Sequence, residues 1–405
     1  MAGRAPQAGP PLEVDGAALP PLGMPPADFL RDYWQKRPLL IRNAFAGFVS
    51  PISPEDLAGL ACEESALSRI VAHEREHDRW LLRHGPFPEA MFPELPQHDW
   101  TLLVQDVDKW DADVAALLPA FDFLPRWRID DVMVSFAAPG GSVGAHVDQY
   151  DVFLLQGQGR RRWQIDASEA LGKDAPPIHF RLDTELKLLQ RFTPTHEWVL
   201  EPGDMLYLPP GVPHHGVAED ACLTFSIGMR APAASELLGD YVDTLIADAD
   251  EAQRYRVPEL APVGDSNEID AAAMQRVIEA LNVLRMNDPE RLGDWFGRYI
   301  TLYRSAGEAT PGPTPPRIEV EWALEHGARL HRHPWTRMAW RKSGRAARLY
   351  AAGQEFTLPA RDARTLAAAS EIDGGLYRKL TQRGRDTVFD LLAGGHYRLP
   401  SDEEE

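Results

Sequence analysis

Two motifs carry side chains able to hold a metal ion. The first, G-S-V-G-A-H-V-D-Q-Y-D-V-F, contains His146 and Asp148. The second, E-P-G-D-M-L-Y-L-P-P-G-V-P-H-H, contains His214. Two imidazoles and one carboxylate hold one face of a non-haem Fe(II) and leave the other face open for oxygen chemistry. On a strand, positions i and i+2 project to the same side, so His146 and Asp148 can meet one ion. A solvated strand face would show the same His-x-Asp pattern. The second motif adds the spacing G-x5-P-x-G-x2-H from Gly203 to His214. Gly203 and Asp204 read as a turn and Met205 to Leu208 as a short apolar strand. Pro209 and Pro210 stop that strand, and Gly211 permits the bend that returns His214 inward. A Pro-rich hairpin with an incidental histidine is the plain alternative. His215 competes with His214 for the third ligand position, because adjacent residues point differently.

The elements around these motifs change character along the chain. Residues 1–26 are rich in Pro, Gly and Ala, the composition of a disordered segment. An amphipathic helix is expected over Asp28 to Gln35, a short strand over Leu39 to Ile41, and a helix over 51–69 opening at Ser53 with Pro54 in its first turn. Short strands are expected at Ile129–Ala137, Asp151–Gln156, Arg161–Asp166, Glu197–Leu200, Met205–Leu208 and Leu223–Met229. Many short strands with Gly, Pro and Asp turns make a sandwich or barrel, and both metal motifs fall within it. From Ala234 the apolar period becomes helical. One stripe runs through Leu237, Leu238, Tyr241, Leu245 and Ile246, another through Met274, Val277, Ile278, Leu281 and Leu284, and a third follows Asp288-Pro289. After a Pro/Gly linker at 305–316 comes a mixed module, basic between Arg329 and Arg348. The expected division is therefore 1–26, 27–231 (catalytic), 232–304 (helical), 305–400 (C-terminal module) and an acidic tail at 401–405.

Composition narrows the class further. The 405 residues are 44% hydrophobic and 25% charged, as in globular proteins. No apolar run is long enough to span a membrane and no secretory signal opens the chain, so a cytoplasmic location is expected. Cys62 and Cys222 are the two cysteines, too few for a disulfide framework or a cysteine-rich metal site. The net charge of −19 disfavours nonspecific nucleic-acid binding and favours a basic partner, although solubility alone explains it equally well. One decoy stands out. His73-Glu74-Arg75-Glu76-His77 matches H-E-x-x-H, a zinc-protease signature that needs a helix. Its flanks read as two strands joined by a charged turn, so a polar hairpin tip is expected.

The metal motifs resemble the cupin superfamily and, more narrowly, the JmjC-type 2-oxoglutarate oxygenases. The runs R-I-D-D-V-M-V-S-F from Arg128 to Phe136 and D-Q-Y-D-V-F-L-L-Q-G-Q-G-R-R-R-W from Asp148 to Trp163, with P-P-G-V-P-H at 209–214, are similar to the bacterial ribosomal oxygenases. Those enzymes hydroxylate an arginine of large-subunit ribosomal protein sixteen. The resemblance covers roughly residues 28–400, with its specific motifs between 128 and 230.

The resemblance implies an α+β protein: a double-stranded β-helix core, a helical dimerisation segment and a winged-helix-like C-terminal module. It implies Fe(II) held by His146, Asp148 and His214, with 2-oxoglutarate and O2 as cosubstrates. The basic residue fifteen positions after the first histidine, here Arg161, would anchor the far carboxylate of 2-oxoglutarate through its planar fork. Ser135 and Thr224 are candidates for hydrogen bonds in the same pocket. A cationic target needs an acidic grip and a flat wall. Asp131 shares strand parity with Ser135, and Tyr150 could stack on a guanidinium. Pairing of Asp131 with Arg128, and simple packing of Tyr150, are the alternatives. The implied partners are a basic ribosomal protein and a second copy of the chain, with no membrane and no direct nucleic-acid contact. An oxygenase acting on a histidine or methyl-lysine, a cupin enzyme without 2-oxoglutarate, and a catalytically silent cupin are the rival readings.

Overall fold

The computed structural model describes residues 11–167, 179–252, 254–258, 260, 262, 265, 267–284, 287–302, 309–312 and 314–399. The chain divides into two compact units, 1–231 and 232–405.

The first unit is built on twelve strands: β1 (Glu13–Asp15), β2 (Leu39–Arg42), β3 (Ser68–Glu74), β4 (Arg79–His84), β5 (Trp100–Val104), β6 (Ile129–Ala137), β7 (Val152–Gln158), β8 (Arg161–Ile165), β9 (His196–Leu200), β10 (Met205–Leu208), β11 (His214–Ala218) and β12 (Cys222–Met229). Nine of them form one sheet in the order β1-β2-β10-β7-β12-β6-β5-β3-β4, and three form a second, β11-β8-β9. This is the double-stranded β-helix that the motifs implied.

Alternation along each strand gives the large sheet two different faces. Val132, Val134, Leu155, Phe225 and Ile227 face a core completed by Phe29, Leu57, Val107 and Phe121 from the helices and turns behind the sheet. Leu154, Leu206 and Leu208 point the other way and meet Trp163, Ile165 and Leu200 of the small sheet. Those strands are covered on both sides, which is why they read as continuous apolar runs. Farther along the inner face, polar side chains replace the aliphatic ones: Ser135, Gln156 and Thr224 are all at least 96% buried.

Three expectations need correction in this unit. Residues 11–26 are ordered, not disordered: β1 pairs in parallel with β2, Leu22 is 1% exposed, and the Tyr33 hydroxyl donates to the Pro11 carbonyl at 2.8 Å. Prolines lose little backbone freedom on ordering, so composition misleads where tertiary contacts exist. Residues 1–10 lie outside the described residues. The expected helix over 51–69 ends at Leu60, and β3 starts at Ser68. Its start is as expected: Ser53 accepts from the Asp56 N–H and Pro54 follows in the first turn. The shorter length reflects cross-strand pairing of β3 with both β4 and β5, which overrides local propensity. The strand-borne His-x-Asp is also not literal. His146 makes an isolated bridge to His214, and Asp148 lies outside any strand.

In the second unit, helices Ala234–Ala247 and Pro289–Thr301 pack through Tyr241, Leu245 and Trp295. Helix Ala271–Asn282 buries none of its residues. A three-stranded antiparallel sheet of Met338–Ser343, Ala346–Ala351 and Gln354–Leu358 carries a core with helices Arg317–Glu325, Ala360–Ala368 and Gln382–Ala393. The expected break near 304 does not divide the packing. Asp294 of helix Pro289–Thr301 accepts from the Tyr350 hydroxyl and from Arg341 of the sheet, each at 2.7 Å. Part of the expected linker at 305–316 and the tail at 401–405 lie outside the described residues.

Candidate metal centre and active site

The bridge between His146 and His214 ties the two motifs together: each backbone N–H donates to the other's carbonyl at 3.0 Å. Gly144, with φ +82°, lies before the first histidine, and Gly211, with φ +86°, lies before the second. Both are left-handed positions that favour glycine. The potential ligand atoms of His146, Asp148 and His214 lie within 4.8 Å of one another. His214 Nε2 is 3.6 Å from Asp148 Oδ2.

Backbone carbonyls orient both rings. Nδ1 of His146 is 2.9 Å from the Gly144 carbonyl, and Nδ1 of His214 is 2.9 Å from that of Val212. Each Nδ1 therefore carries the proton, and each Nε2 keeps a free lone pair. Burial, and then the neighbouring His146, pull the His214 pKa down to about 4, with Asp148 opposing. The imidazole is neutral at physiological pH, the form that binds metals. His215, next in β11, points away from this cluster and meets Phe192 edge-on at 6.2 Å.

Beside the cluster, Arg161 is 3% exposed. Its guanidinium has Ser135 Oγ, Thr224 Oγ1 and the Gly216 carbonyl at 3.4 Å each, and its Nε has no hydrogen-bond partner. It stands over the Trp163 ring at 5.0 Å. No carboxylate pairs with it among the described residues. A buried cation with long contacts and no counter-ion is costly unless an anion completes it. The donor set thus suits Fe(II), and the unpaired arginine suits the remote carboxylate of a small diacid.

Two further residues of this pocket escaped the sequence reading. Gln156 accepts from Thr224 at 3.2 Å and is fully buried. The signal available was a polar residue closing the apolar run V-F-L-L. Gly216 is the second. A Cβ there would sit 2.8 Å from Arg161 Nε, so glycine makes room for the guanidinium.

Asp131 and Tyr150 stand nearby. Asp131 lies on the inner face of β6 with Ser135 and is 8% exposed. Its Oδ2 accepts only from the Asp106 N–H, at 3.1 Å, among the described residues. Burial, followed by the carboxylates of Asp106, Asp130 and Asp108, pushes its pKa up to about 7. Arg128, its alternative partner, instead pairs with Asp151 at 3.2 Å. Tyr150 keeps 41% of its surface exposed. Burial of its hydroxyl, together with Asp148 and Asp131, raises that group's pKa.

The H-E-x-x-H segment is a hairpin tip, as read. His73 and Glu74 close β3, a 3-10 turn at Arg75–His77 follows, and the His73 ring stacks on Trp80 at 4.1 Å.

A fold of this kind with this site defines a JmjC-type oxygenase. Residues 116–237 match the JmjC domain, and residues 284–398 match the ROXA-like winged helix. The chain is 39% identical over 307 residues to the ribosomal protein uL16 3-hydroxylase of Escherichia coli, covering 75% of this chain and 79% of that one. It is 42% identical over 214 residues to a probable ribosomal oxygenase of Haemophilus influenzae, covering 53% and 51%. A crystal structure of E. coli YcfD superposes with a TM-score of 0.83 at 33% identity, over 94% of this chain and 99% of that one. Another structure of that protein, in complex with cobalt and 2-oxoglutarate, gives 0.79 at 33% identity, with the same coverage. The chain belongs to the ribosomal oxygenases, enzymes with a JmjC domain that depend on Fe(II), 2-oxoglutarate and O2.

Proposed function

We propose that this protein hydroxylates an arginine side chain of large-subunit ribosomal protein sixteen. The observation that carries the reading is the pairing of a His146–Asp148–His214 cluster with Arg161, a buried cation lacking a counter-ion among the described residues. His146, Asp148 and His214 hold Fe(II), and Arg161, Ser135 and Thr224 hold the far carboxylate of 2-oxoglutarate. Bound iron supplies the activation of O2 that couples oxidation of 2-oxoglutarate to succinate and CO2 with hydroxylation of an unactivated C–H bond. The chain's own part is to fix geometry. The Gly144 and Val212 carbonyls hold the two imidazole tautomers. The walls around Arg161 exclude water, which strengthens its hold on a carboxylate. Asp131 grips the guanidinium, and Tyr150 provides the flat wall. The name of the E. coli relative supports the ribosomal substrate. Succinate release stimulated by a ribosomal-protein peptide, with mass spectrometry placing +16 Da on one arginine, tests the reading. Oxidation of a histidine or loss of a lysine methyl group would select the runner-up.

The grip has its own signature. Asp131→Ala and Tyr150→Ala should lose arginine-peptide hydroxylation while still binding metal and 2-oxoglutarate. Asp131 is protonated below about pH 7 and ionised above it. The KM for the peptide should therefore fall as pH rises from about 6 to about 8. In Asp131→Asn that dependence should vanish. Hydroxylation by Asp131→Ala at the parental rate would overturn the assignment.

The protein works as a homodimer in the cytoplasm. Met274, Ile278 and Leu281 of helix Ala271–Asn282 are 48–55% exposed, with Leu238 and Ile246 still more so. Such a stripe calls for cover, and a second copy supplies it. Analytical ultracentrifugation at micromolar concentration should give a dimer, and Ile278→Glu with Leu281→Glu should shift it to monomer. A monomeric parent would refute this. Direct nucleic-acid binding has no part in the reading, since much of the basic run is engaged. Arg329 pairs with Glu371 at 2.8 Å, Arg332 donates to the Ala369 carbonyl, and Arg341 pairs with Glu290 at 2.9 Å.

A further inference from the structure

Antiparallel partners on neighbouring strands point to the same face of a sheet. One row crosses five strands of the large sheet: Arg69 on β3 opposes Leu103 on β5, Leu103 opposes Ser135 on β6, Ser135 opposes Thr224 on β12, and Thr224 opposes Gln156 on β7. The flanking residues Ile70, Leu102 and Leu223 belong to the core behind the sheet. Arg69 therefore lies on the pocket face, in the row that contains the partners of Arg161.

Arg69 is half-buried. Its Nε is shielded from water yet has no hydrogen-bond partner, and no carboxylate pairs with it among the described residues. Asp131, four residues before Ser135 on β6, faces the same side. A cation and a carboxylate thus both lie on the pocket face of the sheet. The arginine of the 2-oxoglutarate pocket is a different residue, Arg161, held by the hydroxyls of Ser135 and Thr224.

A buried guanidinium nitrogen without a partner is an unfilled donor site. The ligand that fills it must accept hydrogen bonds. A substrate guanidinium cannot, because it carries only donors. The acceptors that every protein segment brings, whatever its side chains, are its main-chain carbonyls.

We propose that Arg69 is a substrate-binding residue that donates to a main-chain carbonyl of the bound protein segment, holding the backbone at its end of the row while Asp131 takes the cationic end of the target side chain. The inference rests on the protein-arginine reading above. The opposed charges set polarity: a cation placed at the Arg69 end is repelled, whereas carbonyl dipoles are drawn there. The target side chain is thereby presented in one direction, its distal nitrogens toward Asp131.

The test uses the full-length iron-loaded enzyme, an arginine peptide from the ribosomal protein, and two variants. Arg69→Ala should raise the peptide KM about tenfold, as expected for a lost charged hydrogen bond. The accompanying change in the KM for 2-oxoglutarate should be much the smaller of the two. Arg69→Lys should recover part of the loss, since an ammonium still donates. Arg69→Ala with an unchanged peptide KM overturns the proposal. So does an equal rise in both KM values, which would mean a general collapse of the pocket. If the parent turns over no arginine peptide, it is the functional reading that fails, and the Arg69 variants are not the cause.

Discussion

His214→Ala should lose metal binding and hydroxylation, whereas His215→Ala should keep both. The loss should exceed about a hundredfold, because disturbing only a ligand's supporting hydrogen bond already costs about 10–100-fold in metal affinity. The reasons are geometric. His214 is 2% exposed, its Nδ1 is fixed by the Val212 carbonyl, and its Nε2 faces Asp148 at 3.6 Å. His215 lies on the other side of β11, against Phe192. Titration with Co(II), which reports ligation through its visible spectrum, separates metal loss from unfolding, and circular dichroism checks the barrel. The opposite outcome, with His215→Ala the dead variant, would refute the ligand assignment.

Arg161→Met should raise the KM for 2-oxoglutarate by more than about a hundredfold, since breaking a buried charge pair costs about 3–5 kcal/mol. The same variant should not lower the melting temperature of the ligand-free protein. Arg161 is buried without a counter-ion among the described residues, so an apolar side chain of similar size removes an unfavourable burial rather than a stabilising bond. Function and stability should therefore separate at this position. Gly216→Ala gives an independent check. It keeps the charge but places a methyl group 2.7 Å from the Trp163 ring and 2.8 Å from Arg161 Nε, which must shift the guanidinium or the ring beneath it, so it too should raise that KM. An unchanged 2-oxoglutarate KM in Arg161→Met would exclude Arg161 as the anchor. Were Arg161→Met to melt well below the parent, Arg161 would be a structural residue.

The two outcomes bear on one arrangement. The inner face of the β-helix is apolar where Leu154 and Leu206 meet Trp163 and Ile165, and polar where Ser135, Thr224 and Gln156 surround Arg161. The apolar end holds the two sheets together. The polar end holds a buried cation that no carboxylate among the described residues neutralises. On the proposed reading, a stability cost is thus confined to the place where chemistry needs a charge kept out of water.

Much of this was legible along the chain. The strands that carry the pocket were visible because alternation and turn residues are local properties. Ile129–Ala137 and Met205–Leu208 form with the expected bounds. The metal motifs were legible for a related reason. Glycines with positive φ and prolines that stop strands act over a few residues, and these set where His146 and His214 turn inward. Shared parity placed Asp131 and Ser135 on one face without any knowledge of the partner strands.

Other features depended on contacts remote in sequence. The choice between His214 and His215 required the bridge to His146, because two adjacent residues differ only in which face of β11 is inward. Order in residues 11–26 came from β2 and Tyr33, not from their own composition. Arg69 joins the pocket face through a row of five strands whose pairing no local pattern encodes, and Gly216 matters because Trp163 and Arg161 of the neighbouring strand pack against it. Sequence alone offered the candidate ligand types and the strands that carry Ser135, Gln156, Arg161 and Thr224, since these follow from dihedral preferences and periodicity within a few residues. Tertiary structure decided which polar groups were left buried and unpaired, because desolvation and pairing are properties of the closed barrel and not of any single segment.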